Sequence, residues 1–305
     1  SPAIWHGSGG EHLLLATAKE GNAIIVYDAA TGDFIRRFGE VGVGKGAFSR
    51  PNGIAVVDDL LLIAERDNHR IQVFALPDFS PLGFFGESEL IRPYGITVAS
   101  TDTSYEAFIT DNYETADEEV PPTDSLGHRV HHFRFKINNS ELESEHVRAF
   151  GDTSGEGILH KVESLLYDAQ MQSLMIADEL ELQRNIKIYT PEGEFNGSTI
   201  SGEYFAYEPE GIALFACEAD TPGYYIATDQ HEVNNSFQVF DRKTLRNMGT
   251  FGGEATRNTD GVAISQQPFG DFSQGAFYPV HDDGSVAAIA LSEIAEALQL
   301  KTSYR

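Results

Sequence analysis

The chain of 305 residues contains a single cysteine, Cys217, and few basic residues. One cysteine excludes an internal disulfide, and its position beside a predicted strand end indicates a buried or inert thiol. Lysine and arginine number 21 against 47 aspartates and glutamates, which gives a formal charge of −26. Because nucleic acids are bound through basic surfaces, this balance argues against nucleic-acid binding through the chain's own charge.

The sequence also lacks long apolar runs and, over most of its length, helical periodicity. No apolar run is long enough to span a bilayer, so we expect no membrane contact. Only residues 292–300 (SEIAEALQL) have the spacing and composition of a helix. The other apolar runs are short, rich in Phe and Tyr and divided by Gly, Asn, Asp and Pro, which favours strands. Because the chain starts at Ser1 without Met, we expect a secreted or periplasmic protein whose export signal has been removed. We also expect a monomer.

Several familiar catalytic motifs are missing as well. The chain has no G-x-S-x-G and no cysteine in a nucleophile context, which argues against a serine or thiol hydrolase. Residues 42–48 (GVGKGAF) lack the spacing of a phosphate-binding loop. Residues 128–132 (HRVHH) contain three histidines, but no second cluster in the sequence supports a zinc site there.

What the sequence does contain is one strand pattern in six copies. Each copy is followed by a second and a third apolar run, and often by a fourth that ends in Phe-Gly. Four strands repeated six times predict an all-β chain, with residues 1–305 forming one six-bladed β-propeller domain of four-stranded blades and a short C-terminal helix. The copies are PAIW at Pro2, NGIAVV at Asn52, YGITVA at Tyr94, ESLLYD at Glu163, EGIALF at Glu210 and DGVAIS at Asp260.

The third unit is lengthened by residues 113–128 (YETADEEVPPTDSLGH), which are acidic, contain proline and have few apolar side chains. This composition predicts a surface loop near one mouth of the channel. A solvated loop without a role is as good an interpretation as a lid.

The repeats predict which side chains meet around the axis. The first strand of each blade lines the channel, so equivalent positions form a ring. Three carboxylates and an amide at one level would resist burial unless a hard cation lay among them. The ring consists of Pro2, Asn52, Tyr94, Glu163, Glu210 and Asp260.

A second ring is predicted where the second strands end. Its basic residues belong to units one and two and its acidic residues to units four to six, so one side could hold calcium while the other holds phosphate. Ordinary solvated loops are the alternative interpretation. This ring consists of Lys19, Arg66, Asn112, Glu179, Asp229 or Gln230, and Asp282.

Over nearly its whole length the chain resembles the calcium-dependent β-propeller phytases. The resemblance rests on PAIW, ATAKEGNAIIVYD, VRAFG before Glu163, IADE, EPEGIAL, FQVFDR, NTDGVAI and SEIAEAL, all in the same order. It implies hydrolysis of phosphate monoesters of a small molecule by water activated on calcium. It also implies that Lys19 and Arg66 hold phosphate and that Tyr94 borders the site. The implied calcium ligands are Glu163, Glu179, Glu210, Asp260 and Asp282, and the two rings add Asn52 and Asp229.

The chain departs from the phytase pattern at three places. Asn112 and Tyr113 replace a lysine–glutamate pair, so one cationic phosphate ligand is missing. Ser164 replaces a glycine, and residues 268–275 form a shorter loop. Units two and three, with GKGAFSRPNGIAV and ERDNHRIQVF, look as much like an NHL-type propeller.

Two other functions fit the same residues. A lactonase or organophosphate hydrolase of the six-bladed type would hold one calcium ion through Asn52, Glu163, Glu210 and Asp260. A non-catalytic, NHL-like binding propeller would use the carboxylates only for a structural calcium ion. The basic residues Lys19 and Arg66 discriminate, because only the phosphate hypothesis needs them.

Overall fold

The six repeats fold into six antiparallel sheets arranged around a central channel, which confirms the predicted six-bladed β-propeller. The computed structural model describes residues 1–216, 223–253 and 255–302, so Cys217 lies outside the described residues. Within each of the first five blades, every strand pairs with the next along the chain, because consecutive apolar runs, most of them separated by short turns, form hairpins.

Within the described residues, the strands are assigned to blades in sequence order. Blade one has β1 (Pro2–His6), β2 (His12–Ala18), β3 (Ala23–Asp28) and β4 (Phe34–Phe38). Blade two has β5 (Pro51–Val57), β6 (Leu60–Glu65), β7 (Arg70–Ala75) and β8 (Ser80–Phe85). Blade three has β9 (Pro93–Ser100), β10 (Tyr105–Asp111), β11 (Val130–Asn138) and β12 (Glu141–Phe150). Blade four has β13 (Val162–Asp168), β14 (Ser173–Asp178), β15 (Asn185–Tyr189) and β16 (Phe195–Ile200).

Blade five has β17 (Glu208–Ala216), β18 (Gly223–Gln230), β19 (Ser236–Asp241) and β20 (Asn247–Phe251). Blade six has β21 (Val262–Ser265), β22 (Ala276–His281), β23 (Ser285–Val286) and β24 (Ile289–Ala290), followed by α1 (Leu291–Ala297). Short 3₁₀ turns occur at Thr123–Ser125 and Gly202–Tyr204. No helix in these described ranges is long and apolar enough to cross a membrane.

The innermost strands contact one another in chain order, and β1 meets β21 to close the ring. Glycine is required where they approach. A Cβ on Gly53 would lie 2.3 Å from the carbonyl oxygen of Tyr94, and a Cβ on Gly95 would lie 2.3 Å from that of Glu163. The small residue after each axial position therefore lets neighbouring blades pack backbone to backbone.

The core lies between the blades. Trp5 and Leu15 of blade one pack with Ile54 and Phe74 of blade two, and similar clusters fill the next interfaces. Because the middle strands are covered on both faces, they are apolar almost throughout, as in LLLIAE of β6.

The last blade differs from the other five. Both β23 and β24 pair with β22, so the predicted strand AAIAL (287–291) is reduced to Ile289–Ala290. The predicted C-terminal helix is present, and its Leu291, Ile294 and Ala295 pack in one cluster with Phe237 and Phe277.

The insertion at residues 113–128 joins β10 to β11. It leaves from the end of β10 where the axial carboxylates lie, so it is a surface loop at that mouth, as predicted. Its residues are mainly exposed or half-buried, except for Leu126, which is fully buried.

Candidate metal centre at one mouth of the channel

Three glutamates converge where the channel opens. Glu163 and Glu210 lie on the neighbouring axial strands β13 and β17, and Glu179 directly follows β14. One carboxylate oxygen of each lies within 4.8 Å of the others. Glu179 and Glu210 are only 2% and 3% exposed, and Glu163 is 9% exposed. The two predicted rings therefore meet in one cluster.

Burial and mutual repulsion oppose ionisation of these carboxyl groups. Burial, followed by the charge of Glu163, raises the pKa of Glu179 well above its usual range. Burial and the charges of Glu179 and Glu163 do the same to the pKa of Glu210. Burial also raises the pKa of Glu163, although Lys161 opposes this change. A cation bound among the three would remove this cost.

The donor set fits a hard cation such as calcium. Two oxygens bound to one calcium ion at about 2.3–2.6 Å can lie at most about 4.6–5.2 Å apart, and the three glutamate oxygens, all within 4.8 Å of one another, fall inside that limit. Among the described residues, the carboxylate oxygens of buried Glu179 have no hydrogen bond of good geometry. The side-chain oxygen and nitrogen of Asn52, which is also buried, have no hydrogen-bond partner there either. Buried polar atoms of this kind require an explanation, and a ligand is one.

Asn52 occupies the same register position as Glu163. Thr17 Oγ1 donates to the Asn52 carbonyl oxygen at 2.8 Å, just as Thr110 Oγ1 donates to the Glu163 carbonyl oxygen at 2.5 Å. The equivalent threonines of the second strands thus hold equivalent axial residues, which supports the predicted level of Asn52 in the ring.

Asp260 continues the acidic cluster towards blade one. Its carboxylate forms an ion pair with Lys19 and accepts a hydrogen bond from Gln230. Burial alone would lower the pKa of Lys19, but the Asp260 charge outweighs it and raises that pKa. Lys19 Nζ also lies 3.4 Å from the hydroxyl of Tyr94, whose pKa is raised well above normal by burial and then by Glu163. Lys19 and Tyr94 therefore lie beside these carboxylates.

Lys161 supplies a second cation that the sequence reasoning missed. Its ammonium lies 3.2 Å from Glu179 Oε2 and 4.0 Å from Glu163 Oε1, and its side chain is about one-third exposed. Lys161 stands two residues before Glu163 at the entry to β13. The period of two in strands could have revealed it, because side chains two apart point to the same side.

Two predicted departures also take part in the site. Asn112 Nδ2 donates to Glu163 Oε1 at 3.4 Å, so the residue that replaces the phytase lysine contacts the cluster as an amide. Ser164 Oγ donates to Glu210 Oε2 at 3.3 Å, where the phytase pattern has glycine.

Asp229 has a different role from the predicted one. Its carboxylate accepts the backbone N–H groups of Ala206 and Tyr207 at 3.1 and 2.8 Å. Asp111 and Asp178 hold the corresponding loops of blades three and four in the same way. Asp229 is thus a loop brace outside the three-glutamate cluster, and the next residue, Gln230, contacts the site.

The side chains of Arg66 and Asp282 contact residues outside the three-glutamate cluster. Arg66 Nε donates to Asp67 at 2.6 Å, and the exposed Asp282 pairs with Arg257 at 3.0 Å. Asp283 is the residue that responds to Asp260: burial and then the Asp260 charge raise its pKa. Asp282 itself has the register position of Asn112 and Glu179, because its N–H likewise donates to a carbonyl of the segment before the axial strand, but its side chain pairs with Arg257.

Comparisons with known proteins support the propeller and one of its repeats. The NHL repeat family matches residues 48–74, which cover β5, β6 and most of β7. No curated protein matches the chain in sequence. A chain in the crystal structure of the nidogen/laminin complex is similar, with 14% identity, a TM-score of 0.62, and coverage of 93% of this chain and 90% of that one. A chain in the mercury-soaked BBS1N complex with ARL6DN has 14% identity, a TM-score of 0.53, and coverage of 91% and 73%.

Solved chains that match this structure number 803, and at identities of this size they show the fold alone. None of these comparisons supports the phytase resemblance specifically. The chain is therefore a six-bladed propeller with an NHL-type repeat in its second blade, and function has to be argued from the site.

Proposed function

We propose that the protein is a calcium-dependent hydrolase of phosphate esters, with its active site at the acidic mouth of the channel. The observation that carries this proposal is the convergence of three buried glutamates beside two lysine side chains. Carboxylates alone would serve a structural ion. Ammonium groups beside them favour an anionic substrate, because they can bind its oxygens.

The side chains divide into two groups by their chemistry. Glu163, Glu179 and Glu210 would hold calcium, with Asn52 as a neutral oxygen donor at the same level. Bound calcium would neutralise charge on the phosphate and lower the pKa of a bound water.

The cationic half differs from the one expected for a phytase. Lys19 and Lys161 contact carboxylates on opposite sides of the cluster, whereas Arg66 is engaged by Asp67. When calcium neutralises the glutamates, the ammonium of Lys161 is released to an incoming anion, and its partial exposure gives it access. Lys161 thus compensates for the lysine that Asn112 replaces.

A binding propeller with a structural calcium ion is the second candidate. The NHL match in blade two favours it, and the two similar structures named above are both complexes. It predicts calcium binding without turnover.

An activity screen separates the candidates. Phytate, a generic aryl phosphate and a lactone are each offered with calcium or with EDTA to wild type, to Glu210→Gln and to the control Glu208→Gln, an exposed position on the same strand. We expect calcium-dependent phosphate release that Glu210→Gln abolishes and Glu208→Gln retains. Turnover of the lactone alone would favour the lactonase alternative, and calcium binding with no turnover would favour the binding propeller.

A further inference from the structure

Three histidines gather on blade three, away from the glutamates. His131 on β11 and His146 on β12 are on paired strands, and His131 Nδ1 lies 3.2 Å from His146 Nε2. Their ring centroids are 5.2 Å apart. His128, just before β11, has its ring centroid 6.4 Å from that of His131. The structure thus adds His146 to the HRVHH segment, which by itself offered no second cluster.

The far side of the His131 ring faces a carboxylate. His131 Nε2 lies 3.5 Å from Asp111 Oδ2. Asp111 is itself fixed, because it accepts the backbone N–H groups of Ile91 and Arg92 at 2.7 and 2.6 Å. A carboxylate on the second nitrogen is the usual arrangement for a metal-binding histidine, since it places the ring proton there and leaves the first nitrogen free.

We propose that His131 Nδ1 and His146 Nε2 bind zinc, or another divalent transition metal that prefers imidazole, with His128 as the third ligand. Two nitrogens bound at about 2.0–2.1 Å to a tetrahedral ion lie about 3.3–3.4 Å apart, and the observed 3.2 Å is close to that separation. His131 is 4% exposed, which shields the ion. His128 is exposed, and as third ligand it would approach the ion by rotation of its side chain, with water completing the coordination.

The ligand types separate this site from the glutamate cluster. Imidazole nitrogen suits zinc, copper and nickel, whereas carboxylate oxygen suits calcium. His128 is also the last residue of the insertion 113–128. A metal ion at this place would tie the end of that loop to β11 and β12.

Zinc binding to the whole chain tests the proposal. The protein is freed of metal with a chelator, saturated with calcium and then titrated with zinc against a chromophoric competitor. Cobalt is used in parallel, because its visible spectrum reports tetrahedral nitrogen ligation. The variants are His146→Gln and His128→Gln. The matched control is His12→Gln, which breaks the other close histidine pair, where His6 Nδ1 and His12 Nδ1 are 2.6 Å apart.

We expect one zinc ion per chain and a rise in Kd of at least about tenfold in His146→Gln and in His128→Gln, with no change in His12→Gln. Thermal melting in calcium verifies that each variant is folded. If His146→Gln does not fold, the test rests on His128→Gln, which changes an exposed side chain. Three results would overturn the proposal: no zinc binding by wild type at about 100 µM, wild-type affinity in the folded variants, or a loss of binding confined to His12→Gln. None of these readouts depends on hydrolysis.

Discussion

Replacing Glu210 with glutamine separates the two effects of this carboxylate on stability. The amide keeps the size of the side chain and removes one of three buried charges. Without calcium, Glu210→Gln should stabilise the fold, because it relieves repulsion with Glu163 and Glu179. With calcium, it should remove a ligand and most of the stabilisation that the ion provides.

The magnitude follows from the spacing. Two unit charges no more than 4.8 Å apart repel by at least about 3.5 kcal/mol at an effective dielectric constant of about 20. Glu210 faces two such charges, but partial protonation already relieves part of the repulsion, because the pKa of Glu210 is raised. We therefore expect a net gain of about 2–3 kcal/mol at pH 8, and a melting temperature higher by about 3–5 °C.

Thermal unfolding in EDTA and in excess calcium measures both effects. Wild type should gain about 2.7 kcal/mol when calcium is at 100 times its Kd, and Glu210→Gln should gain much less. Glu208→Gln is the matched control, because it makes the same charge change at an exposed position of the same strand. A variant that melts below wild type in EDTA and keeps the full calcium shift would refute the repulsion and the metal centre together.

Three other predictions address charge, substrate and packing. In EDTA, the free energy of unfolding that Glu179 and Glu210 contribute should fall as pH rises above about 4.5, because their raised pKa values make the folded state bind more protons than the unfolded state. Urea unfolding of wild type and Glu210→Gln between pH 5 and 8 measures this contribution. A contribution that rises with pH would contradict the prediction. Lys161→Met should lower kcat/KM for a phosphate ester by about 100-fold, because Lys161 lies beside the glutamates. Arg66→Ala should lower it by less than about threefold, because the partner of Arg66 is the surface residue Asp67. Equal losses would contradict this assignment. Gly95→Ala should destabilise the chain by about 1–3 kcal/mol in chemical unfolding, because its Cβ would meet a carbonyl oxygen at 2.3 Å, and an unchanged midpoint would count against that contact.

The fold and the axial half of the site could be predicted because both depend on repetition. Each first strand carries the same run of small and apolar residues, so equivalent positions reach the axis at one level. This places Glu163 and Glu210 together, although they are 47 residues apart in the sequence and start the axial strands of consecutive blades. No knowledge of loops is needed for that inference, since strand geometry alone sets the height of each residue.

The other half of the site depends on where each second strand ends, and there a shift of one residue reverses the direction of a side chain. Asp111, Asp178 and Asp229 recur at one position because each holds a loop of its own blade. The residue after each of them varies, as Asn112, Glu179 and Gln230, and all three contact the cluster or belong to it.

The recurring aspartate is therefore framework, and the variable neighbour is the residue that can carry function. The same rule puts Arg66 at the correct position after Glu65, yet Asp67 binds it. The repeat determines where a side chain lies, whereas the residue that it contacts depends on neighbours that are not part of the repeat. Lys161 shows the converse, because it lies in a segment between blades and still reaches Glu179. Such residues become visible only once the distances between blades are known.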